Sequence, residues 1–262
     1  MPLDIDRYAH LASPLQRWDP RYKIAALGTF VVCVALVKNL PLAFISLLLS
    51  MVLLYLSKLP RHFVSHGLFS VMAFLLPFFL IMPFTYYSPD HAHFWGMTFS
   101  FGGLRMALLI FIKAIAIVTT SFVVFGTSRF DVSMIALQHL KCPKVLTQML
   151  LFTYRYIFTF MEEMKRMRTS MAARGFVPKA NGNTFATYGN FVGTLLVRSF
   201  ERTERIYKAM LSKGYQGEFH SLVEFKADIT DKYKLAGVIM IAVFLFSIEL
   251  VGNFTPAELA WY

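Results

Sequence analysis

Two places in the chain set a cation where it could bind a carboxylate. Met171-Ala172-Ala173-Arg174-Gly175-Phe176 and Met210-Leu211-Ser212-Lys213-Gly214-Tyr215 share one pattern: Met, two spacers, a cation, Gly, an aromatic. The small residues beside each cation let another surface approach closely. An exposed cation at a helix tip can then enter an acidic groove and make charge-assisted hydrogen bonds there. Gly just after a helical run is also a helix C-cap signal, and a cation in the last turn complements the helix dipole. One copy would read as a capped helix. Two copies with matched flanks argue for docking.

Other residues offer different chemistry. His62 and His66 are four apart on one helix face and could share a metal, but Phe63-Val64-Ser65 between them adds no carboxylate. A metal site needs three or four ligands, so interfacial histidines beside Arg61 are the plainer reading. His91 and His93 sit with Asp90 in a loop and form a thin ligand set. Lys113 lies two turns inside an apolar run, where an ionisable group is a functional candidate by default. Snorkelling, or pairing with Glu249 in the last apolar run, is its structural alternative. No Gly-x-x-x-x-Gly-Lys-Ser/Thr, Gly-x-Gly-x-x-Gly, Gly-x-Ser-x-Gly or His-Glu-x-x-His pattern occurs. The reading is therefore of a protein that is not an enzyme and binds no cofactor or metal of its own.

The elements that carry these residues are set by long apolar runs. The chain is 56% hydrophobic with a mean hydropathy of +0.54, above the usual soluble range of about 45–50%. Runs at 24–37, 40–56, 63–85, 104–125 and 235–251 predict about five transmembrane helices. Pro20 after Asp19 marks a helix start. Pro77 and Pro83 fall inside the third run. Cys33 and Cys142 are far apart and in different contexts, which argues against a disulfide.

The net charge of +11 is unevenly spread. Residues 141–234 hold 16 of the 26 Lys and Arg against 8 Asp and Glu. On a membrane protein this marks cytoplasmic segments, not nucleic-acid binding. Within 127–233 the apolar residues recur at helical spacing, as at Met161, Met164 and Met171, then Leu196, Tyr207 and Met210. Long amphipathic helices are expected there, separated at Asn181-Gly182-Asn183. The fold class is thus an all-α polytopic membrane protein with cytoplasmic amphipathic helices. Its expected divisions are 1–126 (arm and four-helix bundle), 127–233 (amphipathic helices) and 234–262 (last span and outer tail). The N-terminus is expected on the cytoplasmic side.

The arm Ser13-Pro14-Leu15…Asp19-Pro20-Arg21-Tyr22-Lys23, the segment Tyr154-Arg155-Tyr156 leading to Glu162, and the two Gly-ended motifs together resemble one family. It is the transmembrane coupling (T) component of energy-coupling factor transporters, in its CbiQ-like cobalt/nickel branch. The resemblance covers essentially the whole chain. It implies that the amphipathic helices are coupling helices with two x-Arg-x motifs docking into two ABC-type ATPase subunits, which bind ATP and Mg. It further implies a substrate-binding membrane partner (CbiM-like) and a place in the bacterial cytoplasmic (inner) membrane. Ala173-Arg174-Gly175 matches the first motif. Ser212-Lys213-Gly214 departs from the second by Lys for Arg, which keeps the charge and loses the planar fork. Asp19, Arg21, Lys23, Arg155 and Glu162 are structural or coupling candidates. Vitamin transporters of the same kind, and a self-contained transporter or channel lined by Lys113, Glu249, His91 and His93, are the alternative readings.

Overall fold

The computed structural model of the protein describes residues 13, 15–85, 91–94, 97–217 and 228–254. Residues 5–140 with 225–262 form one compact unit, and 141–224 belong to another.

In the first unit, α1 (Pro20–Leu36) starts at Asp19, whose side chain accepts the Arg21 N–H, with Pro20 in the first turn. Ala26, Leu27, Phe30 and Val34 recur at helical spacing and are fully buried. The chain continues through α2 (Leu40–Ser57), α3 (Arg61–Thr85), α4 (Phe101–Gly126), α5 (Phe130–His139) and α8 (Ile229–Phe254). α1 packs against α4, α5 and α8. A short antiparallel pair, β1 (His91–Phe94) and β2 (Met97–Ser100), joins α3 to α4 where the sequence suggests only a loop.

Small residues set the closest packing. Ala43, Ser46, Ser50 and Ser57 are buried on α2, which lies along α4. Each serine hydroxyl donates to the carbonyl three residues back (Ala43, Leu47 and Leu54), so these three hydroxyls enter the apolar interior paired. α3 also lies along α4, with Phe63 edge-on to Phe122 at 5.6 Å. Gly67 faces the same ring, and a Cβ there would come within 2.3 Å of it. Only Val64 and Pro83 of α3 are buried.

Among the described residues, four helices are long and apolar enough to cross a membrane: α2, α3, α4 and Ile229–Leu250 of α8. The fifth expected span, α1, has 17 residues, about 25 Å of helix, and packs against α4, α5 and α8. The all-α polytopic class stands, with the hairpin as a small addition. The structural division falls at 140/141 and 224/225. α5 goes with the bundle because its buried Ser133, Met134 and Ala136 accompany its packing on α1.

The second unit is built on α6 (Lys144–Ala173) and α7 (Gly182–Ser212), of 30 and 31 residues. Asn181 caps α7 by accepting the Thr184 N–H at 3.0 Å, so the expected separator is the start of the second helix. The two helices touch at three levels. Phe176, just past α6, meets Tyr188 near the start of α7 at 5.8 Å. Glu163 meets Arg198 and Arg202 midway. The Tyr215 hydroxyl, just past α7, donates to Gln148 Oε1 at 3.3 Å near the start of α6. The order of these contacts is antiparallel.

Candidate functional site

Both basic helices end in the same way. Beyond α6, Gly175 has φ 77°, its N–H donates to Ala172 O at 3.0 Å, and Phe176 N–H reaches Met171 O at 3.1 Å. Beyond α7, Gly214 has φ 82°, its N–H donates to Leu211 O at 3.0 Å, and Tyr215 N–H reaches Met210 O at 3.0 Å. This is the Schellman closure, in which a left-handed residue reverses the chain. It also sets an apolar residue three before the cap against one two after it. Met171 with Phe176, and Met210 with Tyr215, occupy those positions and are half-buried. The repeated Met, Gly and aromatic are therefore helix-ending machinery. The closure does not require the cation.

Arg174 and Lys213 sit at the cap positions and are exposed. Neither side chain has a hydrogen bond or ion pair among the described residues. Ala173 and Ser212 beside them are exposed as well. The structure does not bring the two cations together. In an antiparallel pair they stand at opposite ends, about 35 Å apart at 1.5 Å per residue.

Of the other candidates on α6, Arg155 is exposed and makes no ion pair among the described residues. Among the described residues Glu162 reaches only Arg166 at 3.8 Å, one turn on, with both side chains largely exposed. The cross-helix contact belongs to its neighbour. Glu163 takes Arg202 at 3.1 Å and Arg198 at 3.6 Å. Sequence reasoning passed over Glu163. The available signal was Arg198 and Arg202, four apart on α7 and able to face one carboxylate.

The arm residues form a polar knot at one end of the bundle. Asp19 accepts from Arg21 Nη2 at 3.0 Å, and its N–H donates to Asp231 Oδ2 at 3.4 Å. Trp18 Nε1 donates to the Asp231 carbonyl, and Lys234 pairs with the Asp231 carboxylate at 3.4 Å. Lys23 is fully buried. Its ammonium donates to Thr127 Oγ1 at 3.0 Å and to Ser128 Oγ. Burial pushes it down from 10.5 to about 8.

Lys113 donates to the carbonyls of Ala35 and Val37 at 2.6 and 2.7 Å. Glu249 is buried and accepts the Asn39 backbone N–H and side-chain amide. His91 and His93 lie on β1, and their side chains, like all of Asp90, fall outside the described residues. His62 and His66 are exposed on α3. No group of three or more metal-ligating side chains occurs among the described residues.

A polytopic helical bundle and two basic helices, each ending in an exposed cation, define a polytopic membrane protein. The chain belongs to the CbiQ family of cobalt transport proteins, whose model matches residues 12–225. It is similar to the energy-coupling factor transporter transmembrane protein EcfT of Streptococcus equi, 24% identical across 97% of this chain and 99% of the relative. The EcfT of Limosilactobacillus fermentum is 28% identical across 78% and 80%. That of Acidaminococcus fermentans is 28% identical across 89% and 91%.

Proposed function

We propose that the chain is the transmembrane coupling subunit of an energy-coupling factor transporter. It transmits ATP-driven motion of two ABC-type ATPase subunits to a substrate-binding membrane subunit. The carrying observation is the matched pair of helix ends, each presenting a cation with no side-chain partner among the described residues. Arg174 and Lys213, with Ala173, Gly175, Ser212 and Gly214 around them, would each enter an acidic groove of one ATPase subunit. Closing of the ATPases would shift the two anchored ends, and the long helices would carry that shift as shear between packed surfaces. ATP and Mg belong to the ATPase chains in this reading, and this chain is not catalytic.

The proposed substrate is cobalt ion, in keeping with the family description, or nickel ion, and the proposed partner is CbiM-like. A vitamin is the alternative, because the relatives are named only for energy coupling. A bacterial inner membrane, with the N-terminus cytoplasmic, is part of this proposal, and the basic content of 141–234 supports a cytoplasmic side for that segment. A self-contained transporter is less well supported, since Lys113 and Glu249 are already engaged by the backbone and by Asn39.

Co-purification tests the reading. Arg174→Glu should abolish recovery of the ATPase subunits while membrane insertion stays intact, and Lys213→Arg should be tolerated. ATPase recovered at wild-type levels with Arg174→Glu would sink the docking. The identity of the second membrane protein recovered with the wild type separates ion from vitamin.

A further inference from the structure

α2 and α3 each pack along α4 and barely touch each other. A groove of about 580 Å³ opens between them, a size that suits a small organic ligand. Leu54, Leu59, Val64 and Leu68 line it, and Lys58 and Arg61 stand at its end. Leu59 makes the floor, seated so tightly on α4 that a Cβ on Gly126 would lie 3.0 Å from it.

The two cations are held in place by the backbone. Lys58 closes α2 in the left-handed region at φ 53°, its N–H on Tyr55 O. Leu59 N–H reaches Ser57 Oγ, and Arg61 opens α3. Lys58 and Arg61 are exposed, and neither side chain has a partner among the described residues. No acidic residue lines the groove among the described residues.

We infer that this groove binds an anionic phospholipid, its acyl chain between α2 and α3 and its phosphate on Lys58 and Arg61. The groove lies between two helices able to cross a membrane, so its apolar length faces hydrocarbon. The cations follow the last apolar turn of α2 and open α3, at the level where a headgroup sits. The occupant must therefore join an apolar tail to an anionic head. Such a lipid would fill the gap that α2 and α3 leave and tie their shared turn to one leaflet. This inference needs only the membrane bundle and does not depend on the coupling function.

The test is native mass spectrometry of the full chain released from nanodiscs of mixed phosphatidylglycerol and phosphatidylcholine. Wild type should retain phosphatidylglycerol selectively. Lys58→Gly/Arg61→Gln keeps the left-handed turn and should weaken retention roughly tenfold or more, two headgroup cations being lost. Leu68→Trp fills the groove with both cations intact and should lower retention likewise. Arg105→Gln, near the start of α4 and about 30 Å of helix from the Leu59–Gly126 contact, should change nothing. Circular dichroism and monodispersity confirm that each variant is folded. Equal retention of the two lipids overturns the inference. So does wild-type retention by either groove variant, or displacement by excess inorganic phosphate, which would mark a free-phosphate site.

Discussion

Lys113 and Glu249 hold the α1–α2 turn from two different helices. The Lys113 ammonium, on α4, binds the Ala35 and Val37 carbonyls at the C-terminal end of α1. The Glu249 carboxylate, on α8, accepts the Asn39 N–H at 3.3 Å and its side-chain amide at 3.1 Å at the start of α2. Each charge faces the helix end that its sign favours. A turn in an apolar bundle would otherwise leave those backbone groups without water or partner. Lys113 and Glu249 also interact with each other electrostatically. Two charges that look like a path through the membrane therefore serve as caps.

Removing one charge should cost more than its own hydrogen bonds, because the other then lacks its countercharge. Glu249→Leu is expected to destabilise the bundle by about 3–5 kcal/mol, the range for breaking a buried charge arrangement. Lys113→Met/Glu249→Leu should cost less than the two single changes summed. Thermal unfolding of the purified chain in detergent gives both quantities. Strict additivity would show that the two residues act independently.

Lys23 predicts a pH dependence at the other end of the bundle. It precedes the apolar run 24–37 and has two hydroxyl partners. Asp19 is paired with Arg21, and Asp231 with Lys234. The folded value, about 8, lies below the ordinary 10.5. Between these values the unfolded chain binds the proton and the folded chain does not, so stability rises with pH there. The contribution is fully present above 10.5 and lost as pH falls toward 8, with a span on the order of 3 kcal/mol. Lys23→Met should remove this slope. Unfolding temperatures of both proteins between pH 8 and pH 10.5 check it, and parallel curves would refute it.

Glu162 and Glu163 are adjacent and should behave differently. Glu162→Ala loses one exposed pair within a helix, worth under about 0.5 kcal/mol. Glu163→Ala leaves Arg198 and Arg202 without the carboxylate that joins α6 to α7. It should cost about 1 kcal/mol or somewhat more, as small networks exceed single pairs. Cleavage rates in limited proteolysis should rise for Glu163→Ala at the 174–181 connection and stay unchanged for Glu162→Ala. Equal rates would count against the cross-helix link.

These cases separate what a linear sequence carries from what it does not. Asp19-Pro20 as a helix start and Gly175 and Gly214 as helix ends are local events, fixed within a few residues, and are legible by type alone. The apolar runs of α2, α3, α4 and α8 are legible because lipid-facing length is a property of one segment. Glu163 was missed because its worth depends on the register between two helices. The Lys113 role was hidden because its partners are backbone carbonyls 76 and 78 residues away. α1 looks like the other runs, and its packing against α4, α5 and α8 depends on residues far along the chain. The β1–β2 pair escaped because each strand is only four residues long, too short for its alternation to stand out.

The Schellman ends allow aim to be separated from charge at the proposed docking points. Gly175 and Gly214 hold φ 77° and 82°, and open space surrounds each position where a Cβ would stand. Alanine therefore meets no neighbour and costs only the left-handed strain, about 1–2 kcal/mol. That strain favours a frayed last turn, in which Arg174 or Lys213 keeps its charge and loses its fixed direction. Gly175→Ala and Gly214→Ala should leave bilayer insertion unchanged and weaken ATPase recovery by roughly tenfold. Gly175→Asn, which tolerates the left-handed region, should recover most of the loss. Titrating the purified ATPase onto each variant in nanodiscs measures this directly. If Gly175→Ala binds as wild type while Arg174→Glu does not, charge suffices, and the closure only ends the helix.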